Sequence, residues 1–492
     1  MKVLLIYPEC ETTFWSFEYA LPFVSRKAAC PPLGILTVAG MLPEEWEINL
    51  VDMNVRRLKT RDFKGVDLVF VSAMLIQRHS TLEVLKKCSL EGKKVVVGGP
   101  LFTSCPDDFI DLADYLVLNE AEVTMRSFLE DLKKGKPKKL YTSDEHPDLS
   151  ITPLPRWDLI DIDDYQTLMI QCSRGCPFNC EFCDITNLFG RRPRVKSSRQ
   201  IISELEAVYD AGWRGPMFFV DDNFIGNKKE IKKILVDLIS WMDSKDNPFT
   251  FTTEASVNLA DDEELIDLMA RAGFDALFIG LETPNEASLM ECGKKQNCKR
   301  DLVDAIKRFQ ASGFQILGGY IVGFDSDDET IFSRQIDFIQ ESGVVTAMVG
   351  LLNAPPNTRL WHRMKAENRL IDSSSGDNTD GSMNFVPKMD KEKLIEGYRG
   401  IIKTIYSPRV FHERVFTFLK SYNPRRKKGM RVREVKAFLK TIFFLGILGN
   451  GQSQWYYWKT FVRALLFHRK SFTEAMTMMV YGHHFRRIAK RI

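Results

Sequence analysis

The chain has 492 residues, 44% hydrophobic and 27% charged, which is too long for one ordinary core and too apolar for a disordered protein. Its 68 Lys and Arg against 65 Asp and Glu leave a net charge of +3, so the chain as a whole does not read as a nucleic-acid binder. No signal-peptide pattern opens it and no apolar run is long enough to span a bilayer, so the ten cysteines read as thiols of a reducing cytoplasm rather than a disulfide framework.

Along 1–140, the runs KVLLIYP (2–8), WEINLVD (46–52), DLVFVSA (67–73), KKVVVGGP (93–100) and DYLVLNE (114–120) alternate with stretches of helical spacing. Continuous apolar strands alternating with helices predict a doubly wound, Rossmann-like parallel sheet. Ligands of such sheets bind beyond the carboxyl ends of the strands. Here those ends carry SAMLIQ, GGPLFTSCP and LNEAE. A polar, Pro-containing linker covers 141–166. Six further strands follow in 167–360: TLMIQCS (167–173), PMFFVDD (216–222), FTFTTEA (249–255), DALFIGLE (275–282), ILGGYIVGF (316–324) and TAMVGLLN (346–353). With helices between them they predict a partial (β/α)6 TIM-like barrel. Residues 361–492 lose this rhythm and read as a mostly helical C-terminal domain.

The first barrel strand leads into CSRGCPFNCEFCDITNLFG (172–190), which sets Cys176, Cys180 and Cys183 in a C-x3-C-x2-C array. A structural zinc ion takes four ligands, commonly as two separated pairs. A [4Fe–4S] cluster also normally takes four thiolates. Cys172 sits on the strand and the motif contains no histidine, so three thiols on one loop leave a metal position open.

RGCPFNCEFCDI resembles the cluster loop of the radical S-adenosylmethionine (SAM) enzymes, including the aromatic Phe182 just before the last cysteine. The resemblance implies a [4Fe–4S] cluster held by Cys176, Cys180 and Cys183, with SAM chelating the fourth iron. It further implies cofactor contacts from Asp221, Asp222 and Asn223 (FVDDNF) and from Glu254 (TTEAS) and Glu282 (GLETPN), each at a strand end. A salt bridge or helix cap is the plainer reading of the two glutamates. Gly319 and Gly323 of GGYIVGFD are candidates for close approach of the backbone to adenine, although glycine equally serves turns and tight packing.

The sheet of 1–140 resembles the cobalamin-binding domain fused to one branch of these enzymes, through PPLGILTVAG (31–40), DLVFVSAM (67–74), VVVGGP (95–100) and LNEAE (118–122). It implies a cobalamin site that includes Ser72, Gly98, Gly99 and Glu120, with the Ser72–Gln77 loop facing one side of the corrin. No D-x-H-x-x-G motif is present, and His79 reads as a surface or packing residue.

The whole chain is most similar to the hopanoid C-2 methylase group, from FEYALPF through IQR (76–78) and DDNFIGN (221–227) to LLNAPPNTRLWHRMKAENRL (351–370). The expected activity is therefore a cobalamin-dependent radical SAM C-methyltransferase. It uses a 5′-deoxyadenosyl radical to open an unactivated carbon of a hopanoid-like lipid, and needs an electron donor such as flavodoxin or ferredoxin. One rival is radical coupling or rearrangement of another lipid or small molecule without methyl transfer; another is a non-catalytic cobalamin or redox sensor. The expected location is cytoplasmic. In the tail, PRRKKGMRVREVKAFLKTIFFLGILG joins Arg425, Arg426, Lys427 and Lys428 to an apolar run, and suits either peripheral contact with the inner membrane face or helices packed on the barrel. Nucleic-acid binding by these basic residues is not expected, because the aromatics follow helical spacing.

Overall fold

The structure is a computed structural model describing residues 1–372, 374–377, 379–425, 432–449 and 451–492. Arg426, Lys427 and Lys428 of the basic cluster lie outside the described residues; Arg425 pairs with Asp267 at 2.7 Å.

Six parallel strands form the N-terminal sheet: β1 (Lys2–Tyr7), β2 (Glu47–Asp52), β3 (Leu68–Ser72), β4 (Lys94–Gly98), β5 (Tyr115–Val117) and β6 (Leu140–Tyr141), in the order β2-β1-β3-β4-β5-β6. Side chains alternate between two cores. Val3 and Leu5 pack with Ile35 and Phe128 on one face, while Leu4 and Ile6 pack with Val84 and Leu101 on the other. Burial on both faces is why these strands read as unbroken apolar runs. The strand order reverses between β1 and β3, which opens a crevice at their carboxyl ends.

A second parallel sheet is built from β7 (Leu168–Ile170), β10 (Pro216–Phe219), β11 (Thr250–Glu254), β12 (Phe274–Glu282), β13 (Gln315–Val322) and β14 (Thr346–Leu351), in that spatial order. Between β7 and β10 a short antiparallel hairpin, β8 (Ser173–Arg174) with β9 (Arg194–Val195), closes the base of the cysteine loop. The edge strands β7 and β14 are not paired with each other, so this is the open six-stranded barrel expected. Its helices bury a regular stripe: in Lys228–Ser244 the buried residues include Ile231, Ile234, Leu235, Leu238 and Met242. Every strand expected from the sequence is present. Strand β6 and the β8–β9 hairpin were not anticipated.

The C-terminal helices Lys391–Ile405 and Pro408–Ser421 pack on the barrel, and Arg414 is the tie between them. Its fully buried guanidinium donates to Gln340 Oε1 (2.7 Å), to the helix-terminal carbonyl of Ile405 (2.8 Å) and to the Val345 carbonyl ahead of β14 (3.3 Å). Burial lowers its basicity to about 10. Arg414→Ala strands two buried carbonyl acceptors and leaves a cavity, at a cost of about 3 kcal/mol. A lowered unfolding midpoint by calorimetry is the expected outcome; an unchanged one contradicts this role.

Candidate active site

The loop bearing the three cysteines is shaped by a glycine and held by carboxylates. Gly175 has φ +90°, and a Cβ there would meet the carbonyls of Gly190, Phe189 and Arg192 at 2.9–3.1 Å. Its N–H donates to Asp222 Oδ2 at 2.9 Å, and the Cys176 N–H donates to the Gly190 carbonyl at 3.3 Å. Asp221, fully buried, accepts from Cys172 N (3.2 Å), Ser173 Oγ (2.5 Å) and Ser173 N. From the outer side, helix Arg359–Ala366 holds the loop's far half. Arg363 forks onto the Glu181 carboxylate at 2.8 and 3.0 Å, and Arg359 reaches the Asn179 carbonyl at 3.1 Å. The expected cofactor contacts Asp221 and Asp222 thus bond to the backbone that presents Cys176.

Asn223 Nδ2 approaches Cys176 Sγ at 3.9 Å, and Gln296 Nε2 approaches Cys180 Sγ at 3.8 Å. Cys172 is packed in the core, and the Cys292 thiol turns to the Leu289 carbonyl at 3.5 Å. Among the described residues no three His, Cys, Asp or Glu side chains are grouped around a single ion position. Burial raises the Cys176 and Cys183 thiols, so deprotonation there needs a positively charged ligand. Three thiols on one short loop match the number of donors the expected [4Fe–4S] cluster needs, although their side chains do not converge on one point.

The ends of β10 and β11 gather negative charge. Burial pushes Asp221 up to about 7 and Asp222 up to about 6. Glu254 is pushed up to about 8, by burial first and then by the Asp222 and Asp221 charges. Among the charges acting on Glu254, the Lys294 ammonium favours its ionised form. Glu282 differs, being buried at φ +62° and paired with Lys294 at 2.7 Å. Burial alone would lower the Lys294 ammonium, but Glu282 and the nearby Cys180 and Cys183 hold it high. Lys294 Nζ also lies 6.0 Å from the Phe182 ring centroid. The acidic group beside the cysteine loop therefore fits a cationic ligand such as SAM, with its ammonium and sulfonium. Gly319 and Gly323 have packing reasons of their own: a Cβ on Gly319 would sit 3.0 Å from the Phe278 ring, and Gly323 has φ +102°.

A cavity of about 860 Å³ lies where the carboxyl ends of β1, β3 and β4 face the barrel. Ser72, Gly98, Gly99 and Glu120 all line it, together with Met169, Gln171, Arg174 and Met348 from the barrel side. A Cβ on Gly98 would meet the Val117 carbonyl at 2.6 Å, and one on Gly99, at φ +97°, would meet Ser72 Oγ at 2.8 Å. These two glycines let neighbouring backbone and the Ser72 side chain pack closely at the cavity's edge, and the volume is at the upper end of the roughly 300–1,000 Å³ of ligand sites. The glycines and the crevice position fit a cobalamin domain. His79 is on the outer surface, 3.5 Å from Glu83.

Glu120 does more than line this cavity. Its buried carboxylate binds Arg174 (2.8 Å) and Arg194 (2.7 Å) across the domain boundary, and also His146 (3.0 Å). Glu122 takes the other edge of the Arg174 guanidinium at 2.8 Å. Arg174 and Arg194 face each other on β8 and β9. Sequence reasoning missed both arginines; the only signal was the position of Arg174 just before Gly175 and Cys176.

Three family models match the chain: "B12 binding domain" over 21–129, "Radical SAM superfamily" over 170–333 and "Domain of unknown function (DUF4070)" over 358–492. The chain is 40% identical to the "Uncharacterized methyltransferase sll1242" of Synechocystis sp., over 99% of this chain and 91% of that protein. It is 30% identical to the "Hopanoid C-2 methylase" of Rhodopseudomonas palustris, over 98% of this chain and 92% of that protein. Its fold is similar to that of the cobalamin-dependent S-adenosylmethionine radical enzyme OxsB with aqua-cobalamin bound. There the TM-score is 0.64 at 17% identity, over 100% of this chain and 79% of that one.

Two substitutions separate the parts of this site. Glu254→Gln keeps the iron content and weakens SAM binding about tenfold, the loss of one charge-assisted contact; unchanged SAM affinity by calorimetry contradicts the assignment. Arg174→Gln breaks a buried pair, at a cost of about 3 kcal/mol. It is expected to lower methylated product relative to 5′-deoxyadenosine formed, as the two halves lose register, and an unchanged product ratio contradicts this.

Proposed function

The chain belongs to the B12-binding radical SAM methyltransferases, and from that premise we propose that it methylates an unactivated carbon of a polycyclic lipid of the hopanoid type. As a member it works with a [4Fe–4S] cluster, SAM and cobalamin. The observation that carries the substrate reading is the 30% identity to a hopanoid C-2 methylase along nearly the whole of both chains. The cavity wall supports it, because Phe14, Trp15, Leu21 and Met348 offer an apolar surface suited to a hydrocarbon skeleton.

When bound, the cluster and SAM supply a carbon-centred radical, and cobalamin supplies the methyl group. The chain's residues would hold these partners and keep water out. Cys176, Cys180 and Cys183 would hold the cluster. Glu254 and Asp222 would hold the cationic part of SAM, while Lys294, tied to Glu282, would offset negative charge beside the thiolates. Asp221 fixes the backbone from Cys172 to Ser173. Trp15 Nε1 points to Met348 Sδ at 2.9 Å, so its one polar atom is used within the wall. A reactive carbon radical requires such a dry enclosure. No side chain has to take a proton from a saturated carbon, so an acid–base pair is not required. The reducing electron would come from a flavodoxin or ferredoxin in the cytoplasm.

Expression in a hopanoid-producing bacterium that lacks methylated hopanoids, with cobalamin supplied, tests the substrate. A hopanoid heavier by one methylene and labelled from methyl-labelled methionine is expected; its absence with active, cofactor-loaded protein discards the hopanoid. Cys180→Ala is expected to abolish SAM cleavage and methylation together, and retained 5′-deoxyadenosine formation would overturn the cluster assignment.

A further inference from the structure

We propose that the helical hairpin formed by Val432–Ile447 and Gly451–Phe467 is a docking surface for an anionic lipid bilayer. This goes beyond the substrate reading above and does not rest on it. Of the 24 exposed large hydrophobic side chains among the described residues, 12 fall between Val435 and Phe467. Scattered single apolar residues on a surface need no explanation, but a concentration of this kind marks a contact.

The exposed residues share a side. In helix Gly451–Phe467, Trp455, Trp458, Val462, Leu465 and Leu466 follow the three-and-four spacing of one face. Tyr457, Thr460 and Ala464 occupy the opposite face and are fully buried; the Thr460 hydroxyl lies 2.7 Å from His412 Nδ1 of the helix beneath. The companion arm adds exposed Leu439, Phe443, Phe444, Ile447 and Leu448. A hydrogen bond from Trp458 Nε1 to the Gly446 carbonyl (2.9 Å) and the stacked rings of Phe438 and Phe461 hold the two arms together.

Charge selects the occupant. Residues 434–470 contain six Lys and Arg (Lys436, Lys440, Lys459, Arg463, Arg469 and Lys470) against the single acid Glu434. Two copies of this face would meet with cations opposed to cations, whereas anionic headgroups neutralise the rim while the acyl region takes the Trp and Phe side chains. No described helix is long and apolar enough to cross a membrane, and the geometry points to a surface that lies in the interface.

The surface is linked to the cavity by one short segment. Lys440 Nζ donates to the Pro22 carbonyl (2.8 Å) and Ser25 Oγ (2.7 Å), and the Phe23 and Phe444 rings are 5.9 Å apart. A few residues earlier, Phe14, Trp15 and Leu21 of the same segment form cavity wall. Docking would therefore set the cavity's apolar wall beside the membrane surface.

Sedimentation of the full-length, cofactor-loaded protein with phosphatidylcholine vesicles, with and without phosphatidylglycerol, tests this without any substrate. Binding that is strongest to the anionic vesicles and declines with salt is expected. Trp455→Ser/Leu466→Ser/Phe467→Ser should weaken binding to both vesicle types about tenfold or more, and Lys436→Glu/Lys459→Glu/Lys470→Glu should remove the preference for phosphatidylglycerol. Both variants should retain SAM cleavage, which shows that they fold. No vesicle binding by the wild-type protein at low salt overturns the proposal. So does a dimer in sedimentation velocity that the serine variant abolishes while vesicle binding persists unchanged.

Discussion

The shared carboxylate of Glu120 holds the two halves of this enzyme in register. It closes the N-terminal sheet at the end of β5, lines the large cavity and grips both arginines of the β8–β9 hairpin. That hairpin is the stem of the cysteine loop. A buried ion pair of this kind recovers little net stability after its desolvation cost, but it is demanding in geometry. Two carboxylates and two planar guanidinium groups satisfy one another in few arrangements. The network therefore specifies where the cysteine loop stands relative to the cavity. A methyltransferase that joins two cofactor domains in one reaction depends on that spacing.

Around the loop the charge distribution follows a second constraint. Asp221, Asp222 and Glu254 crowd together; Lys294 acts on Glu254 and Arg174 on Asp222, and both cations already serve other carboxylates, Lys294 that of Glu282 and Arg174 those of Glu120 and Glu122. Three carboxyl groups in a buried site resist ionising together. The arrangement is under-compensated until a positively charged molecule arrives, and a ligand that brings its own cation is favoured over a neutral analogue. The same residues are mechanical parts: Asp221 and Asp222 tie down the N–H groups from Cys172 to Gly175, so binding charge and loop shape are coupled.

Much of this was legible in the sequence. Parallel strands buried on both faces appear as unbroken apolar runs, and the cysteine spacing marked the loop directly. What escaped lacked a periodic or local signature. β6, β8 and β9 are two residues long, too short for any alternation to register. Glu120 was expected to contact cobalamin; it lines the cavity, and its partners Arg174 and Arg194 are more than fifty residues away along the chain. Nothing local to LNEAE distinguishes a carboxylate that greets a cofactor from one that bridges two domains. Asp221 poses the same difficulty, since a strand-end acid that meets a ligand and one that meets a backbone look alike until the fold is closed.

The grip of helix Arg359–Ala366 on the loop between Asn179 and Glu181 bears on how this architecture diversifies. Gly376, Asp377 and Thr379 border the cavity, so exchanging the C-terminal region is an obvious evolutionary route to a new substrate. Yet Arg359 and Arg363 lie at the very start of that region and buttress the cysteine loop. A recombination event that replaced everything after the barrel would take this support away with the old specificity. Viable crossovers are therefore confined to positions beyond residue 366, and the helix should travel through descent with the barrel rather than with the domain whose boundary it shares.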